Sequence, residues 1–294
     1  MRPQDAGSLR SRCPVSLVDL SPEVAPEQPA DGLLSVELRW MDGRITSVLP
    51  VADGQGLVLP RLVEPHAHLD KAFSWTDYPN GSGTYAGAME ANMREHRTRT
   101  ADRVHERSER ALGLAWRHGL RAIRTHIDSL GPGAACSWEV LTERRQHWKE
   151  RIELQLVALV PIAHWSTPEG EQLASQVAAA EGVIGGVIEP PCRGRGPRQA
   201  LRRLLALAER FGCPVDLHID EASEHPAAGV RQLLRVLSTM DVSVPITCSD
   251  AGSPSARNGG SPGLRGGRMT RHQLGVVALP LASGWVLGRR GHAT

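Results

Sequence analysis

Strand-like apolar runs alternate with helical patterns along most of this chain, beginning at residue 61. Runs such as LRAIRTHID (120–128) and CPVDLHID (213–220) are separated by stretches in which apolar residues recur at helical spacing. Six such runs occur by Ser249, and LGVVALPL (274–281) would make a seventh. The alternation indicates parallel β/α units. The count favours a TIM-type (β/α)8 barrel, incomplete and with its last strand missing, over a doubly wound α/β sheet, which periodicity does not exclude.

Helix-boundary signals accompany these runs. Gly119 follows a long polar-apolar stretch from about residue 85 to 118, in the position that glycine takes after a helix. Ser137 is a candidate N-cap for a helix over 137–150, and Pro168 stands near the first turn of another. The sequence therefore predicts a helix between each pair of strands.

The first sixty residues differ from the rest in their pattern of apolar residues. Residues 14–60 contain short apolar runs broken by turns, and Asp42–Gly43 between two of them is a hairpin signal. A chain of 294 residues can form one large domain or two smaller ones. We predict a small β unit at 1–60 and a barrel domain at 61–294.

One stretch interrupts the alternation of strands and helices. Residues 250–270, DAGSPSARNGGSPGLRGGRMT, contain six glycines where a helix should lie between the sixth and seventh strands. Glycine at that density does not sustain a helix. We expect this segment to be loop or disordered.

Composition excludes several classes of partner. The formal net charge is +2 with basic and acidic residues interleaved, so nothing indicates binding to nucleic acid or to an anionic membrane. The N-terminus lacks the apolar stretch of a secretory signal, and no later run has the length of a membrane span. The five cysteines show no CxxC spacing, and the simplest interpretation is a cytoplasmic protein with unpaired thiols.

Two histidines end the first barrel strand in LVEPHAHLDKAF (62–73). Side chains two residues apart in a strand point to the same face. His66 and His68 therefore lie on one face, at the carboxyl end of the strand, where barrel enzymes have their active sites. Neutral imidazoles bind Zn²⁺ or Fe²⁺ well. We predict that this pair binds a metal; the alternative is two surface histidines at a strand end.

A second candidate cluster ends the fifth barrel strand, in VDLHIDEASEH. His218 could supply a third nitrogen ligand, and Glu221 follows one turn later, close enough to exchange protons with a metal-activated water. The alternative is a buried histidine with a capping glutamate. His126 and Asp128 stand in the same way at the end of the second strand. The pattern is equally compatible with side chains that face the substrate and with ordinary polar residues at the mouth of a barrel.

Four segments in order carry a family resemblance: LVEPHAHLDKAF, LRAIRTHID, VDLHIDE and VALPLASGWVLGRR. Together they resemble the cytosine-deaminase-like branch of the metal-dependent amidohydrolase superfamily. The resemblance runs from about residue 56 to residue 290, apart from the glycine-rich stretch. Each motif alone is common, and only their ordered combination is specific.

The resemblance implies a (β/α)8 barrel with a small β-sandwich built from both ends of the chain, of which residues 1–60 would form half. It implies one divalent metal ion, zinc or iron, bound by His66, His68, His218 and an aspartate after strand eight. Glu221 matches the glutamate that shuttles protons in the family. The implied reaction is hydrolytic deamination or ring opening of a cyclic amidine or amide, with a small heterocycle as substrate.

The sequence departs from the family pattern in several places. Asp250 stands where the family has a histidine that orients the attacking hydroxide, and the chain stops at Thr294 before an eighth strand with its aspartate. The second half of the β-sandwich is also missing. The resemblance implies a glutamine after strand three that reads the pyrimidine of cytosine. This chain has VALVPIAHW there instead, so we expect His164 and Trp165 to line that position. The alternative to an active hydrolase is therefore a catalytically impaired or inactive truncated remnant, and assembly into a homo-oligomer is left open.

Overall fold

The structure, a computed structural model, divides into two compact units, Met1–Arg61 and Leu62–Thr294. It describes residues 5–19, 30–189, 192–221, 227–250, 269–270 and 272–280. The predicted loop at 250–270 lies almost wholly outside the described residues. No helix in the described ranges is long and apolar enough to cross a membrane.

The N-terminal unit is a three-stranded antiparallel sheet in the order β1-β2-β3. Its strands are β1 (Ala6–Pro14), β2 (Leu33–Met41) and β3 (Arg44–Pro50). The predicted hairpin is confirmed: Asp42 and Gly43 join β2 to β3 with φ values of 51° and 74°, the two positive values that a tight hairpin turn requires.

The barrel unit contains a curled, seven-stranded parallel sheet among its described residues. Its strands are β4 (Leu62–Ala67), β5 (Leu120–Asp128), β6 (Glu153–Leu159), β7 (Val183–Ile188), β8 (Val215–Ile219), β9 (Ile246–Ser249) and β10 (Gly275–Val276). Neighbours in the sheet are also neighbours in the chain, with no reversal of strand order. A doubly wound sheet needs such a reversal, so the prediction of an incomplete TIM-type barrel is confirmed.

Six α-helices lie in the described part of the barrel unit. They are α1 (Tyr85–Arg97), α2 (Ala101–Arg117), α3 (Ala134–Trp148), α4 (Pro168–Ala179), α5 (Arg195–Phe211) and α6 (Ala228–Leu237). The stretch before Gly119 is two helices, because Thr100 caps a new helix by accepting a hydrogen bond from the Arg103 backbone N–H. Ser137 is not an N-cap: α3 begins three residues earlier, and the Ser137 hydroxyl donates to the Gly133 carbonyl at 2.8 Å.

Helix α5 shows how the helices attach to the sheet. Leu201, Leu204, Leu205 and Ala208 recur at helical spacing and are fully buried. They belong to one apolar cluster with residues of β7, β8 and β9, while a second cluster joins α2 and α3 to β5 and β6. Each buried leucine contributes about 1.5–3 kcal/mol relative to exposure. The helices thereby hold the strands in register and fix the sheet edge where each strand ends.

Candidate metal centre

The three predicted metal-binding histidines meet at the carboxyl ends of their strands. His66 lies in β4, His68 follows that strand directly, and His218 lies in β8. One ring nitrogen from each lies within 4.8 Å of the others, and the Nε2 atoms of His68 and His218 are 3.3 Å apart. Strands four positions apart in the sheet bring these side chains together because the sheet curls.

A fourth imidazole completes the cluster. The His126 ring in β5 lies 4.1 Å from that of His66 and 4.8 Å from that of His218, centroid to centroid. Its Nε2 lies 3.2 Å from Oδ1 of Asp216, a buried residue of β8. His66, His126 and Asp216 form a second group with metal-ligand spacing.

The sequence analysis did not identify Asp216 as a site residue. Its Oδ2 accepts a hydrogen bond from Arg124 at 2.7 Å and its Oδ1 accepts one from the Ser249 hydroxyl at 2.7 Å. Asp216 stands two residues before His218 and therefore on the same side of β8. That spacing is the signal that could have found it.

Asp250 also reaches the cluster. It follows β9 with a left-handed backbone, φ 57°, and is buried. Its Oδ2 lies 3.3 Å from Nε2 of His66 and 3.3 Å from Nε2 of His218. A carboxylate oxygen therefore stands against two of the three predicted ligands, where the resemblance implied an orienting side chain.

The protonation of the histidines suits metal binding. Burial lowers the pKa of His66 to about 3, and burial likewise places the pKa values of His68 and His218 well below the ordinary value. All three imidazoles are neutral at pH 7, so each has a nitrogen lone pair to offer.

Their buried nitrogens also lack ordinary partners. Within the described part of the chain, both ring nitrogens of His66 and the Nδ1 atoms of His68 and His218 have no hydrogen-bond partner. Buried polar atoms in native proteins are nearly always satisfied. A divalent ion bound through the Nε2 atoms would give His66 Nε2 the partner that it lacks, so the residues fit such an ion.

Glu221 lies immediately beyond β8, three residues after His218, and is mostly buried. Burial raises its pKa to about 7, although Lys71 opposes the shift. The neighbouring Asp220 has a different role, since its carboxylate accepts backbone hydrogen bonds from Gly229 at 2.7 Å and Val230 at 3.0 Å at the start of α6. Glu221, and not Asp220, is the carboxyl group suited to proton transfer at neutral pH.

The raised pKa of Glu221 has a measurable consequence for stability. Between its ordinary value of 4.5 and about 7, the folded chain keeps a proton on Glu221 that the unfolded chain has lost. Unfolding therefore becomes easier as pH rises through this window, by up to about 1.4 kcal/mol per pH unit. In the metal-free chain we expect Glu221→Gln to remove this dependence, so the variant gains stability relative to the parent from about pH 5 to about pH 7.

Urea unfolding at a series of pH values measures this difference. Glu90→Gln is the control, because Glu90 is exposed on α1. A free-energy gap between parent and Glu221→Gln that stays constant across the window would contradict the prediction.

A buried network of charges supports the first two histidines. Asp70 and Lys71 lie two and three residues after His68 in the chain. Lys71 donates to Asp128 at 2.9 Å, and Arg99 donates to Asp70 at 2.7 Å and to Asp128 at 3.0 Å. Of the two residues at the end of β5, His126 thus joins the imidazole cluster and Asp128 joins this network.

Trp165 does not line a substrate position, and that prediction was wrong. Its side chain is fully buried in the apolar cluster of α4, α5 and α6, and its Nε1 donates to the Gly185 carbonyl at 2.9 Å. A large ring packed in the core with its one polar atom satisfied is a structural residue. His164 is half-buried in the short turn Ile162–Ser166, and its predicted place beside the substrate stays a prediction.

Comparison with known proteins shows what this chain is similar to. The chain is 28% identical to a pterin deaminase from Rhizobium rhizogenes over 275 residues, 88% of this chain and 62% of that protein. It is 22% identical to an N-isopropylammelide isopropyl amidohydrolase from Pseudomonas sp. over 197 residues, 65% of this chain and 48% of that protein. These similarities support the resemblance to the cytosine-deaminase-like branch of the metal-dependent amidohydrolase superfamily.

The solved structures agree with this resemblance at the level of fold. A 5-methylcytosine deaminase from Klebsiella pneumoniae superposes on 97% of this chain and 68% of its own, with a TM-score of 0.79 and 20% sequence identity. No family model matches the sequence. This chain spans less than two thirds of the length of the two curated relatives.

Proposed function

We propose that this chain carries out hydrolytic deamination or ring opening of a small cyclic amidine or amide, with His66, His68 and His218 binding one divalent ion. The observation that carries the proposal is the convergence of three neutral, buried imidazoles whose ring nitrogens lie within 4.8 Å of one another. Imidazole donors suit zinc and iron, so either ion fits. When bound, such an ion lowers the pKa of a water and so supplies a nucleophile near neutral pH.

Glu221 performs the proton transfers in this proposal. In deamination, water adds its oxygen to the ring carbon and the carbon–nitrogen bond to the amino group breaks. One of the two water protons leaves with the amino group as ammonia, and the other stays on the product, on its ring nitrogen or its new oxygen. Glu221 accepts a proton from the attacking water and delivers it to the departing nitrogen. A carboxyl group whose pKa is about 7 can do both, because it is neither permanently ionised nor permanently protonated at neutral pH.

The substrate class comes from the relatives. They are named for pterin, 5-methylcytosine and N-isopropylammelide, all nitrogen heterocycles with a carbon–nitrogen bond outside the ring. We therefore propose a planar heterocycle of this size as substrate. Cytosine itself is disfavoured, because VALVPIAHW (157–165), which spans the end of β6 and the turn after it, contains no glutamine.

The test combines metal analysis with turnover by the purified chain. We expect Zn²⁺ or Fe²⁺ to bind at about one ion per chain, and ammonia or amine release from a panel of pterin, 5-methylcytosine and N-isopropylammelide to stop when a chelator removes the ion. His66→Ala should lose both metal and turnover, while His105→Ala, which changes an exposed histidine of α2, should lose neither.

The outcomes separate the two functional hypotheses. Absence of bound metal in the parent chain would contradict the site itself. Stoichiometric metal without turnover of any of the three heterocycles would favour the impaired remnant over the active hydrolase.

We also propose a cytoplasmic location, since all five cysteines are unpaired and four of them are buried. Neither nucleic acid nor a membrane is a proposed partner. Solution size, measured on the same purified chain, decides whether copies assemble into a homo-oligomer.

A further inference from the structure

Asp250 occupies a position that the proposed three-histidine site does not use. Its backbone takes the left-handed conformation at φ 57°, which turns the chain sharply after β9. Aspartate tolerates that conformation better than most residues. The turn leaves the carboxylate buried, with Oδ2 3.3 Å from Nε2 of both His66 and His218.

The contact with His66 is close without being a hydrogen bond. Among the described residues, Nε2 of His66 has no hydrogen-bond partner, although the Asp250 oxygen lies only 3.3 Å away. Two ligands of one ion are expected to have this arrangement, in which polar atoms lie close together without forming a hydrogen bond.

The distances match the edges of a ligand tetrahedron. Zinc binds nitrogen and oxygen at about 2.0–2.1 Å, and in a tetrahedron of that size neighbouring ligand atoms are about 3.3–3.4 Å apart. The His68–His218, His66–Asp250 and His218–Asp250 separations are each 3.3 Å between the named ligand atoms. Three of the six edges of a four-ligand site are therefore present at the expected length.

Asp216, the other carboxylate near the cluster, is already engaged. Its Oδ2 accepts a hydrogen bond from Arg124 and its Oδ1 accepts one from Ser249, both at 2.7 Å. An oxygen bound in this way is poorly placed to give a lone pair to an ion. Asp216 is better suited to holding the His126 ring, 3.2 Å away.

We infer that Asp250 is the fourth protein ligand of the divalent ion, through Oδ2, beside His66, His68 and His218. The inference rests on the proposed function for the three histidine ligands and adds a ligand from the end of β9. A carboxylate ligand there lowers the net charge of the site, and the attacking water would then take a fifth position on the ion.

The first test measures affinity. The full chain is stripped of metal and titrated with Zn²⁺ against a chromophoric chelator. We expect Asp250→Asn to weaken Zn²⁺ binding by at least about 100-fold, because losing a group that only supports a ligand already costs about 10–100-fold. Asp241→Asn is the matched control, since Asp241 is exposed and precedes β9, and it should bind Zn²⁺ like the parent.

The second test detects the bond itself. In Asp250→Cys loaded with Co²⁺, a thiolate bound to the ion produces a sulfur-to-cobalt charge-transfer band in the near ultraviolet, which the parent lacks. A residue that acts only through His66 or His218 would not produce it. This variant decides the question even if Asp250→Asn is too unstable to titrate.

The results have distinct meanings. Weakened Zn²⁺ binding with the new band supports Asp250 as a ligand. Parent-like Zn²⁺ affinity in Asp250→Asn, or a folded Asp250→Cys that binds Co²⁺ without the band, overturns the inference and leaves the three-histidine site standing. A parent chain that binds neither ion overturns the inference and the proposed site together.

Discussion

Replacing Glu221 with glutamine is expected to lower kcat for the proposed deamination by on the order of 10²–10⁴-fold, the usual cost of losing a positioned acid–base group. Glutamine keeps the size of the side chain but can neither take a proton from water nor return one to the leaving nitrogen. Glu221 lies beyond the end of β8 and is not among the residues whose nitrogens form the imidazole cluster. Metal content should therefore stay at the parent level while turnover is lost.

Steady-state ammonia release and metal analysis on the same preparation measure the two quantities together. Glu139→Gln, an exposed change on α3, should leave both unchanged. If Glu221→Gln keeps parent-level kcat, the proton shuttle is another group. If it loses metal in proportion to activity, Glu221 acts on the ion site and not in proton transfer.

The sequence predicted the barrel and the three histidines because both depend on local rules. Buried parallel strands appear as apolar runs between helical stretches, and this located every strand from β4 to β10. His66 and His68 share a side of their chain segment because strand side chains alternate. His218 joins them because parallel strands end at the same edge of the sheet.

The features that the sequence did not predict depend on pairing between distant segments. In the sequence, Asp216 resembles any polar residue of an alternating strand. In the fold it is buried with Arg124, which lies 92 positions earlier in the chain and donates a hydrogen bond to it. The first strand, β1, has a polar sequence, AGSLRSRCP, and becomes a strand by pairing with β2 from one end to the other. Trp165 was assigned to the substrate because it stands near a strand end, but its turn packs against α4 and α5 and its side chain is fully buried.

Arg99→Met is expected to lower the free energy of unfolding by about 3–5 kcal/mol, the usual result of removing one partner from a buried ion network. The Arg99 side chain is fully buried and donates to Asp70 at 2.7 Å, to Glu95 at 2.9 Å and to Asp128 at 3.0 Å. Burial acts to raise the pKa of Asp128, yet Lys71 and Arg99 outweigh it and bring that pKa to about 2. Without Arg99, three buried carboxylates share the remaining positive charge.

Urea unfolding at pH 7 measures the loss, with Arg97→Met as the matched control. Arg97 is exposed at the end of α1, two positions before Arg99, and its replacement should change the free energy by no more than about 0.5 kcal/mol. Because Asp70 and Lys71 lie two and three residues after His68, a loosened network should also displace the first two histidines, and metal affinity should fall with stability. A loss below about 1 kcal/mol for Arg99→Met would mean that water reaches the carboxylates and screens them. The buried network would then not be a support for the metal site.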